Sequence, residues 1–318
     1  MMSKIAPISL EGVKTYPLKD RPSKVNIDDF GKPWRSRGSF RRWVDSLPKI
    51  LACNDFKRVT DNMVRAIQTG KMIILAMGAH AIKVGLNPVI IDLMERGIFG
   101  GIAMNGAGIV HDAELAMVGH TSEEVSDQLG KGLFGMAEET GTFLNDAIRE
   151  GAGKDLGLGK AVGAMLVEKK FPHNRFSLLA RAYELDIPIT VHVAIGTDII
   201  HVHPSADGAS IGKTSHLDFR IFAGLVSRLE GGVFINLGSA VIMPEVFLKA
   251  FSLAKNLGYN LKRVTTVNMD FIRQYRPTTN VIQRPTMDEG EGYSLVGHHE
   301  IMFPLLAAAL IESLETKK

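Results

Sequence analysis

Two textures alternate along this chain. Short apolar runs closed by small residues read as buried strands, and stretches with an apolar residue every third or fourth position read as helices. The segment 188–240 shows both. Residues 189–195 form a β-branched run ending at Gly196, and Leu217, Ile221, Leu225 and Leu229 mark a helix over 215–229. Residues 233–237 form another apolar run, ending at Gly238. Strand, helix and strand on that scale make a βαβ unit of a parallel sheet. A second unit lies upstream: a strand at 71–77, a helix at 89–96 with Pro88 in its first turn, and a strand at 100–104. Asn105-Gly106-Ala107-Gly108 then reads as a sharp turn.

The same periodicities predict helices from Phe40, interrupted at Pro48, and at 56–68, 112–118, 136–149, 162–169, 177–185, 244–257 and 298–315. A strand is expected at 263–269. Residues 270–297 read as a polar loop whose length suggests function. Residues 1–39 show no sustained period and read either as an irregular arm lying over the domain or over a neighbouring subunit, or as a partly disordered terminus. Residues 40–318 read as a single domain of α/β class, with a Rossmann-like, doubly wound, mostly parallel sheet flanked by helices.

Composition narrows the function classes. With 318 residues, 45% hydrophobic and 22% charged, the chain has ample core for a large α/β domain. A net charge of +3 without a dense Lys/Arg tract argues against a nucleic-acid partner. No apolar run is long enough to span a bilayer. The single cysteine, Cys53, rules out an intrachain disulfide and a cysteine-based zinc site, and suits a reducing compartment. The expectation is a cytoplasmic protein acting on a small molecule, with no membrane partner.

In open parallel sheets, ligands bind beyond the carboxyl ends of the strands. Asp198, His201, His203 and the turn Gly238-Ser239-Ala240 should therefore face one crevice, where Asp198 either meets a ligand or caps a helix or turn. The small residues Asn105, Gly106, Ala107 and Gly108 form either a cofactor-phosphate turn or a tight βα connection. His201 and His203, with His192, His111 and Asp112, either hold a metal or are polar crevice and core residues. His298 and His299 either exchange protons or cap the last helix. Arg273, Arg276 and Arg284 either clamp a phosphate or carboxylate or simply solvate their loop.

Five stretches, in order, resemble the deoxyhypusine synthase family. They are Met77-Gly78 with Gly85-Leu86, Asn105 to Ile109 with Asp112, Ala194 to Asp198, Gly238 to Ile242, and Met302-Phe303-Pro304-Leu305-Leu306. The resemblance implies a Rossmann-like sheet, NAD as cofactor and a homo-oligomer, dimer or tetramer, with active sites between subunits. It also implies an aminobutyl transferase working through a lysine imine. Here the chain departs from the family: the lysine position falls near Pro285, and residues 263–316 contain no lysine. The family's histidine falls on Glu245, its substrate aspartate on or near His203, and its tryptophan is missing.

The resulting reading is an NAD-binding, deoxyhypusine synthase-like enzyme acting on a small amine or related metabolite, but not by deoxyhypusine synthesis. The cofactor contacts Gly78, Asn105, Gly106, Ala107, Gly108, Asp198, Gly238, Ser239 and Ala240, while Glu245, His203 and His298 handle protons. No metal is assigned. The alternatives are a metal-dependent hydrolase using His111, Asp112, His201 and His203, and a non-catalytic nucleotide-binding homologue.

Overall fold

A computed structural model describes residues 5–315. The first four residues of the expected arm and the last three of the expected domain lie outside them. Among the described residues six strands form one sheet, and every strand pairing in it is parallel: β1 (Ile73–Met77), β2 (Gly101–Asn105), β3 (Ile189–His192), β4 (Val233–Leu237), β5 (Thr265–Asp270) and β6 (Glu291–Val296). Their order across the sheet is β3-β2-β1-β4-β5-β6. This is the doubly wound order, with its reversal between β1 and β4.

Helices connect the strands. Before β1 come α1 (Phe40–Ser46) and α2 (Leu51–Gln68). Then follow α3 (His80–Lys83), α4 (Asn87–Glu95), α5 (Gly106–Val118), α6 (Val125–Leu129), α7 (Glu138–Gly153), α8 (Leu158–Lys169) and α9 (Leu178–Glu184). The second half carries α10 (Gly208–Val226), α11 (Ile242–Asn256), α12 (Tyr275–Pro277) and α13 (His299–Glu315). Both sheet faces are covered, so the strands read as continuous apolar runs. Ile73, Leu75 and Met77 pack toward α2, α4, α5 and α13, while Ile74 and Ala76 join Phe222, Phe234 and Phe247 beneath α10 and α11.

Several expectations need correction. Asn105 to Gly108 is not a free turn: α5 begins at Gly106, directly after β2. The helix expected at 215–229 starts at Gly208, where the Asp207 carboxylate accepts from the Ala209 and Ser210 N–H groups. The strand expected at 189–195 stops at His192. Residues 270–297 are no loop. They contain α12, a π-helix at Thr278–Gln283 and the edge strand β6.

The arm, residues 5–39, holds two single-turn 3-10 helices and leaves large apolar side chains in water. Ile5, Ile8, Leu18 and Ile27 are each more than 70% exposed.

Candidate active site at the sheet's switch point

At the carboxyl ends of β1 and β4 the two strands continue to pair, and their next residues are glycines. The Gly78 N–H donates to the Leu237 carbonyl at 3.0 Å, and the Gly238 N–H to the Met269 carbonyl at 2.9 Å. A β-carbon on Gly78 would lie 2.6 Å from the Gly238 oxygen. Gly238 has φ +67°, a left-handed conformation, and a β-carbon there would lie 2.6 Å from Cε1 of His299. Both positions therefore require glycine. Ser239 is buried, with its hydroxyl accepting from the Met243 N–H at the start of α11, and Ala240 beside it is half-buried.

His299 packs against Gly238. It is 1% exposed, with Nε2 3.2 Å from the Met269 carbonyl and 3.7 Å from Oδ1 of Asp270. The carbonyl can only accept, so Nε2 carries the proton and Nδ1 is the bare acceptor, without a partner among the described residues. Burial pushes the imidazole below the usual histidine range, against the opposing pull of Asp270. The ring is therefore neutral near pH 7. His80, exposed after β1, meets it edge-on at 5.3 Å, and Phe271 lies 6.1 Å away. His298 is exposed and stacks on Phe271 at 6.5 Å.

The other expected site residues fall in separate places. Asp198 is buried against the first turn of α5, accepting from the Ala107 N–H and, at 3.1 Å, from the Ala194 N–H. Its carboxylate thus occupies the electropositive helix end that the sequence suggested for a phosphate. Burial raises its pKa, and the two N–H donors oppose that. Gly106 is buried beneath it and Gly108 is buried against Met104, while Asn105 and Ala107 are half-buried. Among the described residues the Asn105 Oδ1 has no hydrogen-bond partner.

Glu245 sits in the first turn of α11 with Lys249, Arg276 and Asn280 around it. Its pKa is lowered, chiefly by the Lys249 hydrogen bond, so it stays ionised at neutral pH. His203 is buried over Gly141 of α7, with Nε2 2.9 Å from the Gly135 carbonyl. That is the packing of a structural histidine.

The metal set of the hydrolase alternative is not assembled. Asp112 is fully buried and accepts from the Leu178 and Leu179 N–H groups, the Ser177 hydroxyl and the Asn87 amide, capping α9. Burial raises its pKa to about 6. His111 turns instead to the Thr121 hydroxyl at 2.7 Å, and that hydroxyl donates to Glu114. His201 accepts from the Gly196 N–H at 3.3 Å. Among the described residues no three histidine, cysteine, aspartate or glutamate side chains converge.

Sequence reasoning passed over His299 in favour of its exposed neighbour. The usable signal was helical spacing: His299, Phe303 and Leu306 share the buried face of α13.

No family model matches the chain, and no curated protein matches it. Solved structures do. AgrE, in its ternary complex with ornithine and NAD+, superposes with a TM-score of 0.55 at 15% identity, covering 82% of this chain and 33% of that one. Unliganded AgrE gives 0.52 at 13% identity, covering 83% and 32%. The chain thus spans about a third of AgrE. A provisionally assigned deoxyhypusine synthase from Entamoeba histolytica gives 0.52 at 14% identity, covering 89% of this chain and 96% of that one. At these identities the likeness establishes architecture: the chain has the parallel α/β fold shared by AgrE and the Entamoeba protein, a deoxyhypusine synthase-like fold.

Proposed function

We propose that this chain is an NAD-binding enzyme acting on a small amine or related metabolite, without a lysine imine. The observation that carries this reading is the β1–β4 switch point, where Gly78 and Gly238 let the two strand ends close against a buried, neutral histidine whose Nδ1 has no partner among the described residues. A dinucleotide fits there chemically. Asp198 and the Asn105 Oδ1 offer acceptors for hydroxyl groups. NAD, when bound, supplies a hydride acceptor. AgrE, which shares the fold, binds NAD+ and ornithine.

Within this reading His299 accepts the substrate proton at Nδ1, with His298 at the rim. Glu245 and His203 hold structure rather than move protons. An imine needs an amine nucleophile whose pKa is lowered in a desolvated pocket. Pro285, just beyond the π-helix Thr278–Gln283, stands near where the family's lysine would be, and Lys213 is committed to Asp155 at 2.7 Å. We also propose a cytoplasmic homo-oligomer, with one domain following the arm. The apolar arm, and the exposed Ile195, Val241, Phe271, Ile272, Tyr275 and Ile301, are surfaces that a second copy would cover.

The test is a thermal shift with millimolar NAD, backed by calorimetry. Ligand that binds only the folded protein raises the melting temperature by mass action. No shift together with no binding heat removes the proposal.

A further inference from the structure

The segment after β5 carries more positive charge than its neighbours neutralise. Glu245 takes Lys249 (Nζ–Oε2 2.8 Å), Arg276 (Nε–Oε1 3.3 Å) and the Asn280 amide (2.9 Å). Asn280 is 4% exposed, and its Oδ1 accepts from Nη1 of Arg284 at 2.8 Å. Lys249, Arg276 and Arg284 thus share one carboxylate, Arg284 reaching it only through the amide. Arg273, exposed three residues before Arg276, adds another cation. Among the described residues neither Arg273 nor Arg284 has a carboxylate partner. Asn280 lies inside the π-helix Thr278–Gln283, a rare geometry that gathers at functional sites.

The position is as informative as the charge. Helix α11 starts at the carboxyl end of β4, and α12 with the π-helix follows the carboxyl end of β5. Glu245 and Arg276 therefore stand beyond the carboxyl ends of β4 and β5, the end of the sheet where Gly238 and His299 lie, while the π-helix runs back along β5 and β6. Glu245 and the buried Asn280 hold two guanidinium groups in fixed places, and such planar forks suit the oxygens of a carboxylate or phosphate. We infer that Arg276 and Arg284 bind an acidic group of the substrate, so the substrate is an amine that also carries a carboxylate or phosphate. A polyamine, positive at every nitrogen, is repelled from the same place. The inference rests on reading the crevice as the active site.

The test is calorimetry on the full chain with saturating NAD, using matched pairs. L-lysine and cadaverine differ only by the carboxylate, and phosphoethanolamine and ethanolamine only by the phosphate. One acid-bearing member is expected to bind at least tenfold tighter than its amine, and the pair that shows this tells carboxylate from phosphate. Arg276→Gln and Arg284→Gln should each remove that preference while leaving NAD affinity unchanged. Both side chains are solvent-facing, and circular dichroism checks the fold. Equal affinities within both pairs, no binding by either acid, or an intact preference in both variants overturns the inference. If NAD itself does not bind, the crevice reading falls; if NAD binds without an acid preference, only this inference does.

Discussion

Asp218 offers a quantitative test of how the edge of the sheet is held. It lies on α10 at 1% exposure, and its Oδ2 accepts from the Val191 N–H of β3 at 2.7 Å and the Gly159 N–H of α8 at 2.9 Å. Ser215 works beside it, donating to the Val191 carbonyl and accepting from the Val193 N–H. Burial, only partly offset by the N–H donors, raises the Asp218 pKa to about 7. Its unfolded pKa is lower, so the folded state holds the proton more tightly. The proton's contribution to stability is complete below about pH 4 and is lost as pH rises through about 7. The full span is about 4 kcal/mol, of which roughly 2–3 kcal/mol falls between pH 5 and pH 8. Asp218→Asn keeps an acceptor for the two N–H groups and cannot titrate. Urea unfolding at pH 5, 6.5 and 8 should show wild type losing roughly 2–3 kcal/mol relative to the asparagine variant across that range. Asp218→Ala strands both N–H groups and should cost about 2–6 kcal/mol at pH 7. A wild-type-minus-asparagine difference that stays flat with pH would refute a desolvated carboxyl at this position.

Gly238→Ala should lose about 2–5 kcal/mol in urea unfolding, from its left-handed backbone and the collision with His299. Gly85→Ala, at φ +80° with open space around it, should lose only about 1–2 kcal/mol, and equal losses would show that the histidine contact is absent. Radiolabelled spermidine with NAD and a lysine-bearing acceptor protein should transfer no label, and a borohydride-trapped adduct on Lys213 would overturn that expectation. In sedimentation at micromolar concentration the chain should exceed its 34.7-kDa monomer mass, and deleting the arm should shift it toward monomer. A monomeric intact chain would count against a partner covering the apolar arm.

The parallel core was legible because burial on both faces removes alternation: Ile73–Met77 and Val233–Leu237 are apolar throughout. β6 was not. As an edge strand it turns only Tyr293 and Leu295 inward and shows Glu291 and Gly292 to solvent, so it reads as loop. Asn105 to Gly108 looked like a turn because glycine signals one. What makes it a helix start is Asp198, far along the chain, which no local pattern announces. The histidines failed for the same reason. His203 and His299 are both buried, and tertiary contacts alone set one against a carbonyl of the α6–α7 connection and the other against the switch point.

If the proposed dinucleotide binds, the carboxylate lodged at the start of α5 bears on which one. A dinucleotide whose adenosine ribose reaches that helix end meets a fixed negative charge where many nucleotide sites present bare N–H groups. A 2′-hydroxyl can donate to Asp198, whereas a 2′-phosphate meets like charge. Two unit charges about 5 Å apart at an effective dielectric of about 20 repel by roughly 3 kcal/mol, on the order of a hundredfold in affinity. The residue that closes the helix would thereby separate NAD from NADP without any dedicated specificity loop.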